Sequence, residues 1–226
     1  MKTVVKLFLI SFFIGFSCIS YAGTKTFTLK NFKGIDVSNG LKVTIYLDSV
    51  EKVILESDND QFDDIELKVT NGVLKIRKKM FGKHSSNPHI IVHASYLERF
   101  YASGGASIKT VNDLRSDYLS CEVSSGANIS LNARCKLFEG KLSSGAMMSM
   151  EGSAEVAKIK AGSGAFLKGN DFSCNTVEVD ASSGCRINMS VTEEILGNVS
   201  SGAFVSIEGK PANHVKTSSG GLVQLK

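Results

Sequence analysis

The chain has 226 residues, a formal net charge of +4, no tryptophan and only 2 prolines, but 21 glycines. So small a net charge argues against a general nucleic-acid-binding protein. The length allows one sizeable core or one elongated stack of repeats, and the plentiful glycine favours a turn-rich all-β chain.

The N-terminus has the pattern of a secretory signal peptide. Lys2 and Lys6 precede an apolar run over residues 7–16, and Ser20-Tyr21-Ala22 places small residues at the two positions that a signal peptidase reads. We predict cleavage after Ala22 and no membrane-spanning segment in the mature chain. A lipid anchor on Cys18 is disfavoured, because residues 15–17 lack the aliphatic residue expected before such a cysteine.

Residues 23–97 are predicted to form a β-rich cap. Asn39-Gly40 and Asn71-Gly72 are turn signals, and the second lies between two alternating runs, which indicates a hairpin. Ser38–Leu41 also resembles a degenerate form of the corner described next. The predicted strands are Thr26–Leu29, Leu41–Leu47, Val53–Ser57, Ile65–Thr70, Val73–Arg77 and His89–Ala94.

A four-residue motif, Ser-Ser-Gly-Ala or a close variant, repeats through residues 98–226. The spacings between its third residues are 21, 19, 19, 20, 18 and 18, a period typical of stacked-repeat architectures. The copies begin at Ser103, Ser124, Ser143, Gly162, Ser182, Ser200 and Ser218.

Each repeat alternates between apolar and polar residues on both sides of its glycine. Positions one and three after the glycine are apolar, as in Ala127 and Ile129, and so are positions three, five and seven before it, as in Val123, Cys121 and Leu119. This period of two predicts two short strands per repeat, joined by the Ser-Ser-Gly corner on one side and by a variable loop on the other. Stacked in parallel, the repeats form a right-handed β-solenoid, or parallel β-helix, with rungs of about 19 residues. Whether residues 32–226 form one continuous domain is left open.

The corner residues are explained by chain geometry. Glycine accepts positive φ at no steric cost, and serine hydroxyls can bond nearby backbone groups. A catalytic serine would need a base, and His214 is the only histidine in the repeats. We therefore interpret the serines as corner builders.

Four cysteines remain after removal of the signal segment. Cys135 and Cys174 occupy the same repeat position but lie two repeats apart, roughly 9.6 Å at strand spacing, which is too far for a disulfide. We expect mostly free, buried thiols. A bridge between Cys121 and Cys135 in adjacent repeats stays open, as does the state of Cys185.

These features resemble the auto-transporter adhesin head (GIN-like) domain family of exported bacterial proteins. The resemblance spans residues 32–226 and rests on the opening Phe32–Val37, the turn at Ser38–Gly40 and the serial corners. It implies an exported β-solenoid-like fold and an adhesive role, and it supplies no catalytic residues. The chain shows no pattern of a translocating β-barrel.

The position two after each corner glycine is outward-facing, yet in five repeats it is mostly apolar. Stacked at strand spacing, these residues would form a ladder that is a candidate docking strip for a ligand or a second copy of the chain. The alternative is that a neighbouring loop or the first half covers it. The ladder consists of Met147, Phe166, Arg186, Phe204 and Leu222.

Other clusters are interpreted as structure. The acidic segment 58–64 lacks the glycine and terminal glutamate of an EF-hand loop, and the histidines at 84, 89 and 93 have no evident fourth metal ligand. We interpret the basic segment 77–79 with Lys83 first as a solvated strand end and only second as a contact for anionic glycans. We predict no metal and no cofactor.

We therefore predict a non-catalytic binding or structural module of the cell envelope, in the periplasm or at the cell surface, which binds a glycan or protein partner. The alternative is a polysaccharide lyase or hydrolase, since β-helices support such chemistry. It would need acids gathered on neighbouring rungs. Only Glu178 and Asp180 place two acids on one outward face, and they lie next to Lys158 and Lys160. The charges in the column from Glu122 to Lys216 are interpreted as balancing one another along the stack.

Overall fold

The structure is a computed structural model that describes residues 23–58, 62–79 and 87–226. The predicted signal segment, residues 1–22, lies outside the described residues. Within those three ranges the chain forms only strands, and it contains no helix that could cross a membrane. The strands are β1 (Gly23–Phe27), β2 (Gly34–Val37), β3 (Lys42–Leu47), β4 (Lys52–Ser57), β5 (Ile65–Thr70), β6 (Val73–Lys78), β7 (His89–Ala94), β8 (Arg99–Ala102), β9 (Ser107–Thr110), β10 (Leu114–Val123), β11 (Asn128–Leu142), β12 (Met147–Ala161), β13 (Phe166–Ala181), β14 (Arg186–Val199), β15 (Phe204–Glu208), β16 (Ala212–Thr217) and β17 (Leu222–Leu225).

The strands stack in parallel as a β-solenoid of about seven turns with rungs about 19 residues apart, which confirms the predicted fold class. Strand segments that lead into a corner, together with β6, which pairs with β2, form one stack, which we call the pre-corner stack: β6, β2, β8, β10, the second halves of β11 to β14, and β16. Segments that leave a corner, together with β7, which pairs with β3, form the post-corner stack: β7, β3, β9, the first halves of β11 to β14, β15 and β17.

The rungs do not follow chain order at the N-terminal end. The rung made of β2 and β3 lies between the rung of β6 and β7 and the rung of β8 and β9. Its corner at Asn39-Gly40 has φ values of 62° and 71°, and the Gly40 amide donates to the Gly104 carbonyl oxygen at 2.9 Å. The degenerate corner is therefore a genuine one. β2 and β8 lie on opposite sides of the predicted division at 97/98 and pair with each other. Strand pairing thus continues across this point of the chain, and the division stays a prediction.

Antiparallel strands cover the N-terminal end of the stack. β4 pairs with β7 and β1 with β4, while β5 pairs with β6 through the hairpin at Asn71-Gly72. The hairpin prediction is confirmed by the pairing of Thr70 with Val73. Antiparallel strands of this kind end the succession of parallel rungs, as the terminal elements of repeat proteins do.

The second connection of each rung differs from the prediction. The variable loop is absent from the described central rungs, because the chain runs through the bend as one strand of 14–16 residues in β11 to β14. In β11 the inward-facing residues change from odd-numbered to even-numbered positions, and the change falls between Ala133 and Phe138. The bend thus keeps inter-rung hydrogen bonds that a loop would lose, since residues such as Ala133 and Cys135 stay paired with β12.

The core is the interior of the solenoid. The inward residues named in the sequence analysis are buried, with Ala127, Ile129, Val123, Cys121 and Leu119 all at most 1 % exposed. Alanine after the corner and isoleucine two residues later fill a thin interior.

The four cysteines of the described chain are free thiols, of which Cys135 alone is partly exposed. Cys135, Ala154 and Cys174 are successive partners in one column, so the two cysteines are two rungs apart as predicted. The Cys185 thiol donates to the Ala161 carbonyl oxygen at 3.3 Å. Burial raises the pKa of Cys135 to about 11 and that of Cys174 to about 12.

Candidate functional site

The corners set the geometry of the solenoid surface. In the second copy of the motif, Ser125 and Gly126 have φ values of 52° and 70°, and the Ala127 amide donates to the Ser124 carbonyl oxygen at 3.1 Å. Two consecutive left-handed residues closed by this bond form a turn of the primed type I′ kind, which reverses the chain tightly. The same positive φ recurs at Ser144, Ser163, Ser183, Ser201 and Ser219.

The corner serines act through their backbone. We expected their hydroxyls to bond nearby backbone groups, but among the described residues none of these hydroxyls makes a hydrogen bond. The bonds that hold the corners together instead join each corner glycine to the second serine of the next corner, as in Gly145 to Ser163 at 3.0 Å. The serines thus form an exposed ridge between the two stacks, which separates two outward faces of different chemistry.

The first of these faces carries the predicted ladder on the post-corner stack. Met147 pairs with Phe166, Phe166 with Arg186, Arg186 with Phe204, and Phe204 with Leu222. The five side chains therefore occupy one column on five successive rungs, about 19 Å from end to end at strand spacing.

The ladder is open to solvent. Met147 is 46 % exposed and Leu222 is 55 % exposed, whereas Phe166 and Phe204 are half-buried. The Arg186 guanidinium lies over the Phe204 ring, 5.6 Å from its centroid, in a cation–π arrangement. The column offers apolar area with one fixed positive charge, a combination that can bind both apolar surface and an anionic or hydroxyl group.

The second face, which we call the charged face, lies on the pre-corner stack. Most of its charged residues lie in two outward columns across β10, β11, β12, β13, β14 and β16, and the outward column beside them has one charge, Glu194, whose Oε1 lies 3.8 Å from His214 Nε2. Lys141 and Lys160 are direct partners, so the second column does not alternate strictly in sign. The columns are Ser120, Glu139, Lys158, Glu178, Leu196 and His214, and Glu122, Lys141, Lys160, Asp180, Asn198 and Lys216.

The charged face contains two adjoining shallow depressions. One, of about 280 Å³, has Gly140 and Ile159 among its lining residues, and the other, of about 340 Å³, runs beside the corner at Gly162. Among the residues of these two columns, the only ion pair in the described chain joins Lys158 Nζ and Glu178 Oε2, partners in the first column, at 3.9 Å. Sequence reasoning treated this face as charge balance and assigned it no role, although its period-two charge pattern was visible in the sequence.

The histidine cluster is only partly within the described residues, since His84 and Lys83 lie outside them, as do residues 59–61 of the acidic segment. His93 Nδ1 lies 2.6 Å from Asp48 Oδ2, and His89 Nδ1 lies 3.5 Å from Glu56 Oε2. The hydrogen bond from His93 holds the pKa of Asp48 below its usual value. In the part of the chain that the structure describes, no three His, Cys, Asp or Glu residues are grouped as metal ligands.

Comparisons with known proteins agree with this architecture. A family model described as "Putative auto-transporter adhesin, head GIN domain" matches residues 31–211. No curated protein shows significant similarity to the chain.

Three crystal structures share the fold. A "putative adhesin" from Bacteroides fragilis NCTC 9343 has a TM-score of 0.82 and 16 % identity, with 91 % of this chain and 97 % of that chain covered. A "putative adhesin" from Parabacteroides distasonis ATCC 8503 has a TM-score of 0.75 and 14 % identity, with 92 % and 98 % covered. A "putative lipid binding protein" from the same strain has a TM-score of 0.69 and 14 % identity, with 91 % and 96 % covered.

Proposed function

The chain belongs to the auto-transporter adhesin head GIN domain family, and from this premise we propose that it is an exported, non-catalytic binding module of the bacterial cell envelope. We propose that the module docks a glycan or protein partner on the ladder formed by Met147, Phe166, Arg186, Phe204 and Leu222. The observation that carries this proposal is the in-register stacking of these five outward side chains.

The ladder is not needed to build the core. The same rungs already bury Ala146, Met148, Ala165 and Leu167 inside the solenoid, each at most 1 % exposed. The apolar residues placed on the outer side do not enter that core, and with Arg186 between them they leave a mostly apolar strip in contact with water. A strip of this kind is characteristic of an interaction surface.

The chemistry of the ladder favours an extended partner. Two phenylalanine rings flank the guanidinium of Arg186 along one line, so one cationic contact lies between apolar contacts at rung spacing. A glycan presents apolar C–H faces and hydroxyl groups in alternation, and an extended peptide alternates its side chains in the same way. Either would match the strip, and the neighbour named for lipid binding adds a lipid as a third class to test.

The experiment is a binding screen with the mature chain, residues 23–226. The purified protein is tested against an array of glycans, extracellular-matrix proteins and lipid vesicles, beside the double variant Phe166→Ser and Phe204→Ser. A matched control replaces the exposed apolar residues Val50 and Val111, which lie away from the ladder, with serine. Both variants should keep the thermal stability of the parent, because none of the four side chains is fully buried.

We expect saturable binding that the ladder variant loses and the control keeps. Binding that survives in the ladder variant would place the site elsewhere, and absence of binding across the whole array would remove the adhesive role. The rival function, a polysaccharide lyase or hydrolase, lacks a comparable observation, since Glu178 faces Lys158 instead of a free site. Incubation of the protein with the glycans that it binds, followed by analysis for cleavage products, tests that rival directly.

A further inference from the structure

The charged face has a self-complementary charge pattern. Counting Lys as +1 and Asp or Glu as −1, with His neutral, the two outward columns give the rungs β10, β11, β12, β13, β14 and β16 formal charges of −1, 0, +2, −2, 0 and +1. The sequence of charges reverses sign about the midpoint between β12 and β13. We infer that the charged face is the contact surface of a symmetric dimer in which a second copy of the chain packs face to face.

The pattern specifies the symmetry axis. A two-fold axis that runs parallel to the strands, between β12 and β13, reverses the order of the rungs in the second copy. The two lysines of β12 then face Glu178 and Asp180 of the other copy, and the reverse contact forms as well. Glu122 of β10 faces Lys216 of β16, and the two neutral rungs face each other.

Pairing within one chain leaves these charges poorly satisfied. Lys158 and Glu178 are at the 3.9 Å limit of an ion pair, and their side chains are 50 % and 56 % exposed. An exposed pair of this kind contributes little to stability. In the dimer each of the two β12 lysines would lie between a carboxylate of its own chain and one of the second copy, so that the four charges of β12 and β13 each gain a partner in a less hydrated contact.

The opposite pairing of faces is disfavoured. If the second copy stacked with the same rung order, the lysine rung would face the lysine rung and the two acids would face each other. Like charges placed opposite one another repel, so the pattern selects the reversed order as well as the surface.

The size of the face fits a weak dimer. Six rungs about 4.8 Å apart and about four strand residues at about 3.3 Å each give roughly 350–400 Å² per copy, so the two columns of the pair would bury about 750 Å² in total. That area is below the standard size of a stable interface and fits a weak, transient contact, which is mainly ionic. The dimer should therefore be concentration-dependent and sensitive to salt.

The ladder stays free in this dimer, because it lies on the other side of the corner ridge. Dimer formation and partner binding can thus succeed or fail separately. The Phe166→Ser and Phe204→Ser variant should dimerise like the parent, and a dimer-breaking variant should still bind any single-site partner of the ladder.

The test is analytical ultracentrifugation of the mature chain at about 0.05 M and about 0.5 M NaCl. We expect a two-chain mass at low salt that shifts toward one chain, with an affinity at least about tenfold weaker, at high salt. The double variant Lys158→Glu and Lys160→Glu should be monomeric, and so should Glu178→Lys with Asp180→Lys. The fourfold variant that combines all these changes restores the sign reversal and should recover the dimer.

Mixing experiments test the arrangement itself. An equimolar mixture of the two double variants should form dimers although each alone does not. For the rung order, Lys158→Cys and Glu178→Cys mixed under mild oxidation should give a disulfide-linked pair, while Lys158→Cys alone should not exceed the wild-type background. A monomer at every salt concentration, no recovery in the fourfold variant, or self-linking of Lys158→Cys would overturn the proposal. Circular dichroism of each variant verifies that these exposed changes leave the fold intact.

Discussion

The amide nitrogen of Gly126 donates a hydrogen bond to the carbonyl oxygen of Ser144, 3.0 Å away, and so joins the corner of one rung to the corner of the next. The carbonyl that accepts this bond belongs to a residue with a φ of 54°. A left-handed conformation costs an ordinary residue roughly 1–2 kcal/mol, whereas asparagine adopts it more readily. Asn39 and Asn71 hold the equivalent conformation in the first half of the chain.

Replacing Ser144 with asparagine should therefore stabilise the protein. We expect a gain of about 0.5–1 kcal/mol in the free energy of unfolding, because the left-handed backbone becomes less costly and the exposed side chain breaks no contact. The measurement is urea denaturation of the variant beside Ser143→Asn. Ser143 does not have positive φ, so its replacement should bring no gain, and equal effects at the two positions would show that backbone strain is not the cause.

Gly197 is required by close backbone packing. Its φ is 121°, and a Cβ atom built on it would lie 1.9 Å from the carbonyl oxygen of Val179, its partner on the neighbouring rung. Gly197→Ala should lower the free energy of unfolding by on the order of 3–5 kcal/mol, because the two rungs would have to separate. Gly145→Ala is the matched control: its φ is 67° and no atom lies within 4 Å of its added Cβ. That control should lose only about 1–2 kcal/mol, and thermal unfolding distinguishes the two.

The Asn112 side chain bonds the backbone of β3 beyond the point where its pairing with β9 ends. Its Oδ1 accepts a hydrogen bond from the Leu47 amide at 2.9 Å, and its Nδ2 donates to the Leu47 carbonyl oxygen at 2.8 Å. Asn112→Ala removes both bonds and should cost about 1–2 kcal/mol. Asn112→Asp keeps the acceptor alone and should give an intermediate loss. If alanine and aspartate reduced the unfolding midpoint equally, the amide donor would be shown to carry the whole effect.

The buried thiols make stability depend on alkaline pH. Burial raises the pKa of Cys174 to about 12 and that of Cys135 to about 11, and it also raises the pKa values of Cys121 and Cys185. An unfolded thiol ionises near pH 8.5, so above that pH the unfolded state releases protons that the folded state retains. The contribution of the thiols to the free energy of unfolding should be fully present below about pH 8.5. Above that pH it should fall by up to about 1.4 kcal/mol per thiol per pH unit.

The measurement is denaturant unfolding at pH 7.5 and at pH 9.5. Cys174→Ala removes one titrating group and should flatten the pH dependence relative to the parent chain. A parent chain with the same stability at both pH values would contradict the raised thiol pKa values.

Much of one rung could be predicted because it depends on local chemistry. The corners follow from glycine and its neighbours, and the inward positions follow from a period of two, so Ile129 and Val123 were assigned to the core correctly. The stacking of the ladder also followed, since equal repeat lengths bring Phe166 and Phe204 into one column. The docking role of that column stays a proposal.

The second connection of the rung could not be predicted. The apolar positions alternate on odd-numbered residues up to Cys135 and on even-numbered residues from Phe138, and this change of phase led us to predict a loop between the two strands of the rung. Their strand conformation is imposed by hydrogen bonds to the neighbouring rungs, as between Ala133 and Gly152, and such bonds exist only once the stack has formed. The local sequence pattern therefore does not predict these bonds.

The sequence by itself determined the rung, its corners, its inward and outward faces and the charges that those faces carry, because steric limits on φ and the alternation of side chains act within a few residues. Only the tertiary structure decided the order in which rungs meet, including the place of β2 between β6 and β8. That order depends on pairing between segments more than sixty residues apart, as for Val37 and Ala102, and on the closing of long connections. Neighbouring residues along the chain do not encode it.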